Sequence, residues 1–251
     1  MRILVSGDWH GDSAAAKAAA KKAVRANCSC IVQVGDFGFW PHTDPDYVPT
    51  VNRHLAKQDK WMVWIDGNHE NFDALYDTSW ERHEKGFWRI AERILYAPRG
   101  LRWEWDGVRF LALGGGYSID KMWRLAQGPI GQFWWPQETI TQREVYDAVE
   151  GGETDVMFTH DCPTGIQIGN PMYKTEPEST QNRMAVRAVV DVARPLRLYH
   201  GHFHHRQDAV LTLEDGHEVE VFSLGMWQGL PLDSTWTVLD TEEIKLQRMV
   251  A

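Results

Sequence analysis

The stretch MRILVSGDWHGD, residues 1–12, sets how the rest of the chain is read. Ile3-Leu4-Val5 is apolar without alternation, the mark of a strand buried on both faces of a parallel sheet. Asp8 and His10 follow directly, polar groups placed where that strand ends. Asp12 or Ser13 can cap an Ala-rich helix running to about Ala26. The unit then recurs. A second apolar run, Ile31 to Val34, closes in Gly35-Asp36. A helical pattern covers Val48 to Gln58, and a third strand, Trp61 to Ile65, closes in Gly67-Asn68-His69-Glu70. Strand alternating with helix predicts parallel βαβ units. Sheets of that kind gather active groups just past the carboxyl ends of their strands.

Further along, Leu101–Trp105 and Val108–Leu113 flank Asp106-Gly107, a hairpin signal, and Gly114-Gly115-Gly116 ends the second strand. Tyr117 to Pro136 has no clear period and reads as a long functional loop. Thr141 to Glu144 has the pattern of a capping box, opening a helix that stops at Gly151. A strand from Asp155 to Thr159 ends in His160, and a second long loop is expected from Asp161 to Thr180. A helix from about Gln181 to Ala193 precedes the strand Leu196–Tyr199, which runs into His200-Gly-His-Phe-His-His205. The tail from Ala209 to Met249 reads as antiparallel strands around an Asp215-Gly216 turn. No repeat or linker divides the chain, so the expectation is one domain over residues 1–251.

Composition narrows the class. A hydrophobic fraction of 43% and a charged fraction of 24% are those of a globular protein. The net charge of -9 argues mildly against wrapping duplex nucleic acid, although a local cationic site can hide in an acidic whole. Three cysteines without a pairing pattern point to reduced thiols. With no signal-peptide pattern and no apolar run of membrane-spanning length, a cytoplasmic location is expected. Most of the 13 Trp are expected to pack, with a few in loops free to stack on a substrate ring.

The clusters Asp8-Trp9-His10, Gly35-Asp36, Gly67-Asn68-His69, Thr159-His160 and Gly201-His202-Phe203-His204 each follow a predicted strand. A lone His in such a place is usually structural. A whole set of Asp, Asn and His at strand ends is hard to explain by packing, because buried polar groups cost too much unless paired or metal-bound. Carboxylates and neutral imidazoles suit divalent transition metals such as Mn, Fe or Zn, and no Cys lies among them. Two such ions can hold a phosphoryl group and stabilise the departing oxygen.

The order D-x-H, GD, GNH[ED], H, GHxH resembles the calcineurin-like metallophosphoesterase family, and it spans Asp8 to His204. The resemblance implies a four-layer α/β/β/α sandwich with two metal ions at the sheets' edge. It implies that Asp8, His10 and His204 hold one metal, that Asn68, His160 and His202 hold the other, and that Asp36 bridges them. His69 would act as general acid or as an electrostatic partner for the leaving oxygen, and the attacking group would be a metal-bound hydroxide. Mn²⁺ is the expected metal. The GDxxDRG element of the family's protein Ser/Thr phosphatases is absent, since Gly35-Asp36 continues as Phe37-Gly38-Phe39-Trp40. The Asp that would orient His69 and the Arg that would grip phosphate are therefore missing, and the chain looks more like small phosphodiesterases of bacterial and phage type.

His200 and His205 are expected to pack or to support the ligands and Trp9 to shield the site; Glu70 and Asp66 are candidates to orient His69, with Glu70 equally read as solvated at a helix start. Aromatic groups for a base are Tyr117, Trp123, Trp134, Trp135 and Tyr173. Cations for phosphate are Lys121, Arg124, Lys174 and Arg183. The expected activity is hydrolysis of phosphodiesters, aryl diesters and 2′,3′-cyclic nucleotides among them, on a small nucleotide-like substrate. A nuclease on the same centre ranks second, and a non-catalytic interaction module ranks last.

Overall fold

A computed structural model describes residues 1–77, 79–169, 177–229 and 233–250. It holds two mixed sheets packed face to face, with helices on their outer sides, as the resemblance implied. The first sheet is built on β1 (Arg2–Ser6), β2 (Cys30–Gln33), β3 (Met62–Trp64) and β6 (Ile94–Tyr96), all parallel. The antiparallel strands β5 (Trp88–Ala91) and β4 (Glu81–Arg82) continue it on one side. The second sheet has β8 (Val108–Leu113), β9 (Val156–Thr159), β10 (Arg197–His200) and β12 (Glu218–Ser223) in parallel. Antiparallel β7 (Arg102–Trp105) and β11 (Gln207–Thr212) form its two edges.

Side-chain alternation explains the layering. Ile3, Val5, Val32 and Val63 face inward, where Phe110, Phe158 and Tyr199 of the second sheet meet them. Leu4, Ile31 and Trp64 point the other way, against the buried Ala15, Ala16, Ala19, Ala20 and Ala23 of α1 (Ser13–Arg25) and against Val51 and Leu55 of α2 (Tyr47–Ala56). On the opposite side Leu111, Met157 and Leu198 pack on α5 (Gln142–Glu150) and α6 (Pro177–Ala193). Small Ala side chains let α1 lie close on its sheet, and Asp12 caps it through Ala14 N at 2.8 Å. A short α3 (Phe72–Leu75) follows the third strand.

Three expectations need correction. The stretch read as one loop contains α4 (Lys121–Gln127); its buried residue is Arg124, so it shows no apolar period. Next, α6 begins at Pro177 rather than near Gln181, with Pro in the first turn, where a missing N–H costs nothing. The end of the chain is not all strand. Trp236–Asp240 forms β13, antiparallel to β1, and Thr241–Val250 forms α7, which buries only Thr241 and Ile244. That is too thin a stripe for the sequence to reveal. All three cysteines are free and buried, and among the described residues no helix is long and apolar enough to cross a membrane.

One buried cation fixes the ends of several elements. Arg99, whose side chain is 2% exposed, donates to Asp66 at 2.6 Å, to Glu144 at 3.2 Å and to the carbonyls of Gln137 and Thr139 at 2.7 and 3.0 Å. Removing it leaves Asp66 buried without its counter-charge. We expect Arg99→Met to cost about 3–5 kcal/mol in urea unfolding. Thr141→Ala, which removes a capping box on an exposed helix end, should cost about 1 kcal/mol. Equal costs would show that Arg99 is not the tie described.

Candidate metal centre

The strand ends bring the predicted clusters together. Asp8 and His10 leave β1, Asp36 leaves β2 and Asn68 leaves β3. His160 follows β9, and His202 and His204 follow β10. His10, Asp36, His202 and His204 have left-handed backbones, with φ of 48°, 53°, 70° and 61°. Non-glycine residues seldom adopt that conformation, and when they do they cluster at functional sites. Two glycines make the close approach feasible. A Cβ on Gly67 would overlap Asp36 Oδ1, and one on Gly201 would overlap Asp8 Oδ1.

Asp36 lies between two groups of donors. Its Oδ2 is 3.6 Å from His10 Nε2, and its Oδ1 is 3.3 Å from His160 Nε2. On the first side Asp8 Oδ2 lies 3.3 Å from His204 Nε2, and the His10 and His204 Nε2 atoms are 3.1 Å apart. Ligand atoms of Asp8, His10, Asp36 and His204 all lie within 4.8 Å of one another. On the second side His160 Nε2 stands 3.0 Å from Asn68 Oδ1, and the His160 and His202 rings meet edge-on with centroids 5.0 Å apart.

Neighbours fix which atoms face the centre. His160 Nδ1 donates to Val34 O at 2.9 Å. Asn68 Nδ2 donates to Ser118 Oγ at 2.9 Å, and Ser118 Oγ in turn donates to Glu138 Oε2 at 2.7 Å. Those bonds turn His160 Nε2 and Asn68 Oδ1, both acceptors, toward the Asp36 carboxylate. Acceptors converging this closely repel unless a cation or a proton lies among them. Without a metal, a proton takes that place. Burial opposes charge on His160, but the Asp36 carboxylate outweighs it and pushes the imidazole up to about 10. Burial would also raise Asp36, but His160, His69 and His10 outweigh it and hold the carboxyl well below its ordinary value. The oxygen and imidazole donors, with no thiolate among them, fit divalent cations of intermediate softness.

Other predicted residues sort by what they touch. Glu70 is not solvated: it is fully buried and accepts the N–H groups of Phe37, Gly38 and Phe39 at 2.8, 3.1 and 2.6 Å, holding the loop that carries Asp36. Asp66 is taken up by Arg99 and by the Tyr96 hydroxyl, which donates to it at 2.7 Å. What stands beside His69 is a cation. Arg124 donates to the His69 imidazole and to Asn68 O at 3.3 Å, and its own charge is met by Asp120 at 3.1 Å and Glu138 at 3.7 Å. Burial pushes His69 down to about 4, with Arg124 adding to the effect against the pull of Asp36.

Tyr117 is buried just past Gly116, and Lys121 Nζ lies 4.4 Å over the Trp134 ring. Trp123 is 65% exposed on α4, whereas Trp135 is buried against Trp40. Arg183 is drawn away from the centre, donating to Pro163 O at 3.3 Å and Ile166 O at 2.7 Å. Tyr173 and Lys174 lie outside the described residues. Trp9 is buried and donates to Ser6 Oγ at 2.8 Å. His200 is buried, its Nδ1 3.0 Å from Gly201 O, and His205 sits between Phe203 O and Gln207 at 3.0 and 3.2 Å. No sequence signal marks Ser118 and Glu138, because they reach Asn68 only through the fold.

The layered sheets and the donors at their strand ends define a metal-binding α/β protein. The chain belongs to the family described as calcineurin-like phosphoesterase, whose profile matches residues 1–206. Family and donor cluster together point to a site for two divalent cations in a phosphoester hydrolase. Among solved structures, a dimetal phosphatase from Danio rerio is similar, with a TM-score of 0.57 at 15% identity over 95% of this chain and 91% of that one. A protein from Thermus thermophilus matches with a TM-score of 0.52 at 14% identity, covering 90% of this chain and 89% of its own. A purple acid phosphatase from yellow lupin (Lupinus luteus) seeds gives a TM-score of 0.53 at 10% identity, over 94% of this chain and 46% of the plant chain. At these identities the likeness is one of fold. No curated protein matches the chain.

The protonated His160 gives a measurable consequence. Its ion pair with Asp36 stabilises the metal-free chain fully below about pH 6.5, and the contribution fades as pH rises through about 10. A metal must displace that proton, so binding at pH 8 should release about one proton per chain. Calorimetric titration in buffers of different ionisation enthalpy reads this directly. Binding enthalpies independent of buffer would contradict the assignment.

Proposed function

We propose that the chain is a phosphodiesterase working at a two-metal centre. The observation that carries this reading is the Asp36 carboxylate, with one oxygen toward His10 and the other toward His160. Asp8, His10 and His204 would hold one cation, Asn68, His160 and His202 the other, and Asp36 would bridge them. Two divalent cations, when bound, supply an activated water and charge stabilisation for the phosphoryl oxygens. Mn²⁺ is the metal we expect to support the highest activity, with Fe and Zn next.

The chain's own groups favour a diester. A phosphomonoester dianion gains more than a diester does from a further cation at the metals themselves. Arg124, the guanidinium near the centre, already faces two carboxylates, Asp120 and Glu138. A singly charged diester asks for less. Its non-reacting portion would meet Tyr117 and the Lys121–Trp134 pair, which line a cavity of about 270 Å³ beyond Gly116. Aryl diesters and 2′,3′-cyclic nucleotides are the substrates we expect.

Of the two roles open to His69, electrostatic support is the better one. An imidazole beside Arg124, with a pKa near 4, is neutral at pH 7 and a poor proton donor, but its N–H can still bond a phosphoryl or leaving oxygen. Arg124 orients the ring and lends it positive charge. Removing such a donor costs roughly 10²–10³ in kcat. His69→Ala should therefore lower kcat/KM on a nitrophenyl diester and on a cyclic nucleotide by similar factors, with metal content unchanged. A loss confined to the cyclic nucleotide, whose alkoxide leaves poorly, would return His69 to the role of proton donor. A monoester turned over faster than either diester would overturn the substrate class.

A further inference from the structure

The net charge of -9 hides a cationic face beside the proposed centre. Helix α1 carries Lys17, Lys21, Lys22 and Arg25, and no acidic residue lies within it. Lys17, Lys21 and Arg25 are exposed and follow one another at four-residue spacing, so they form a row on one side of the helix. Like charges so placed destabilise a helix. Among the described residues no carboxylate lies within ion-pair distance of these three, whereas Lys22 reaches Asp233 at 3.5 Å. Lys17 also adds to the cations of α2. Burial, followed by the charges of Lys17, Lys57 and Arg53, holds the His54 imidazole below its ordinary value. Such a row fits an anion supplied from outside the chain.

The row borders a groove of about 430 Å³ whose other side is formed by Trp227, Trp236 and Asp233, the carboxylate that Lys22 meets. Lys22 Nζ lies 5.8 Å from the Trp236 ring. One end of the groove meets the loop that carries Asp8 through Trp227, which is hydrogen-bonded to that loop. Trp227 N donates to Asp8 O at 2.9 Å, and Trp227 Nε1 donates to Asp12 Oδ2 at 2.7 Å, so its upper end is tied to both Asp8 and the cap of α1. Successive cations in the row are about 6 Å apart along the axis, close to the spacing of consecutive phosphates on an extended single strand. A flat membrane surface would call for several large apolar side chains standing out beside the cations; on α1 Val24 does so, at 46% exposure, while the two Trp are recessed, at 7% and 5%.

We propose that this groove is a docking track for single-stranded nucleic acid. Its backbone phosphates would lie along Lys17, Lys21 and Arg25 while one phosphodiester reaches the Asp8–Asp36 centre. The proposal rests on the phosphodiesterase reading for the fate of that diester, but the docking itself is a separate property. It also gives the nuclease reading a surface that net charge alone argued against.

The test is fluorescence anisotropy with the full metal-loaded chain and a short labelled oligothymidylate whose phosphorothioate linkages resist cleavage. Wild type should bind it with an affinity that falls steeply with salt. The triple variant Lys17→Gln/Lys21→Gln/Arg25→Gln should bind about tenfold more weakly or worse at low salt, with the log–log salt slope shallower by about 2. Its turnover of bis(nitrophenyl) phosphate should match wild type, which also shows that it is folded. Equal affinity and slope in the two proteins, or no binding by wild type, would overturn the proposal. So would capture of phosphatidylserine vesicles through the same three residues in place of the oligonucleotide. If wild type binds the oligonucleotide as expected but turns over no diester, the docking stands and the phosphodiesterase reading fails.

Discussion

A buried carboxylate between two groups of imidazoles is the constraint on which the rest of the site depends. Asp36 is 1% exposed and accepts the Asn68 and His69 N–H groups, each at 2.9 Å, while facing His10 and His160. Burying a charge this deeply is costly unless positive groups surround it. In the metal-free chain His160 supplies that charge by holding a proton. In the loaded protein we propose, cations do so. The surrounding structure keeps the alternatives poised. Glu70 clamps the loop after Asp36, the Ser118–Glu138 pair turns Asn68, and Val34 turns His160.

The architecture explains how one carboxylate can have such company. Two sheets with parallel centres end their strands on the same edge, so residues far apart in sequence converge with little further adjustment. Small residues then decide how close they come. Gly67 and Gly201 leave the room that Asp36 and Asp8 need, and left-handed turns at four of the donors aim them inward.

Much of this was legible in the sequence, for physical reasons. Strands such as Ile3–Val5 and Ile31–Val34 are buried on both faces and so read as unbroken apolar runs. The donors follow them immediately, where the geometry of a parallel sheet places a site. The hairpin at Asp106-Gly107 and the capping box at Thr141 are local chemistry and appear as expected. What stayed hidden has no local signature. Helix α4 buries Arg124 rather than an apolar stripe, and α7 buries only two residues. Arg124 reads in the sequence as a loop cation able to contact phosphate, and its place against His69 follows from the packing of α4. Glu70 reads in the sequence either as a partner for His69 or as a solvated helix-start carboxylate, because nothing there shows three amides closing on it. Net charge is a sum over the chain and does not register the cationic row on α1.

In the loaded centre we propose, Asp36 joins two cations. Electron paramagnetic resonance of the Mn²⁺-loaded protein tests it most directly, comparing wild type with Asp36→Asn. Wild type should give an exchange-coupled dinuclear signal that collapses to isolated Mn²⁺ in the variant. A spectrum of isolated Mn²⁺ in the saturated wild type, or coupling that survives the substitution, would contradict it.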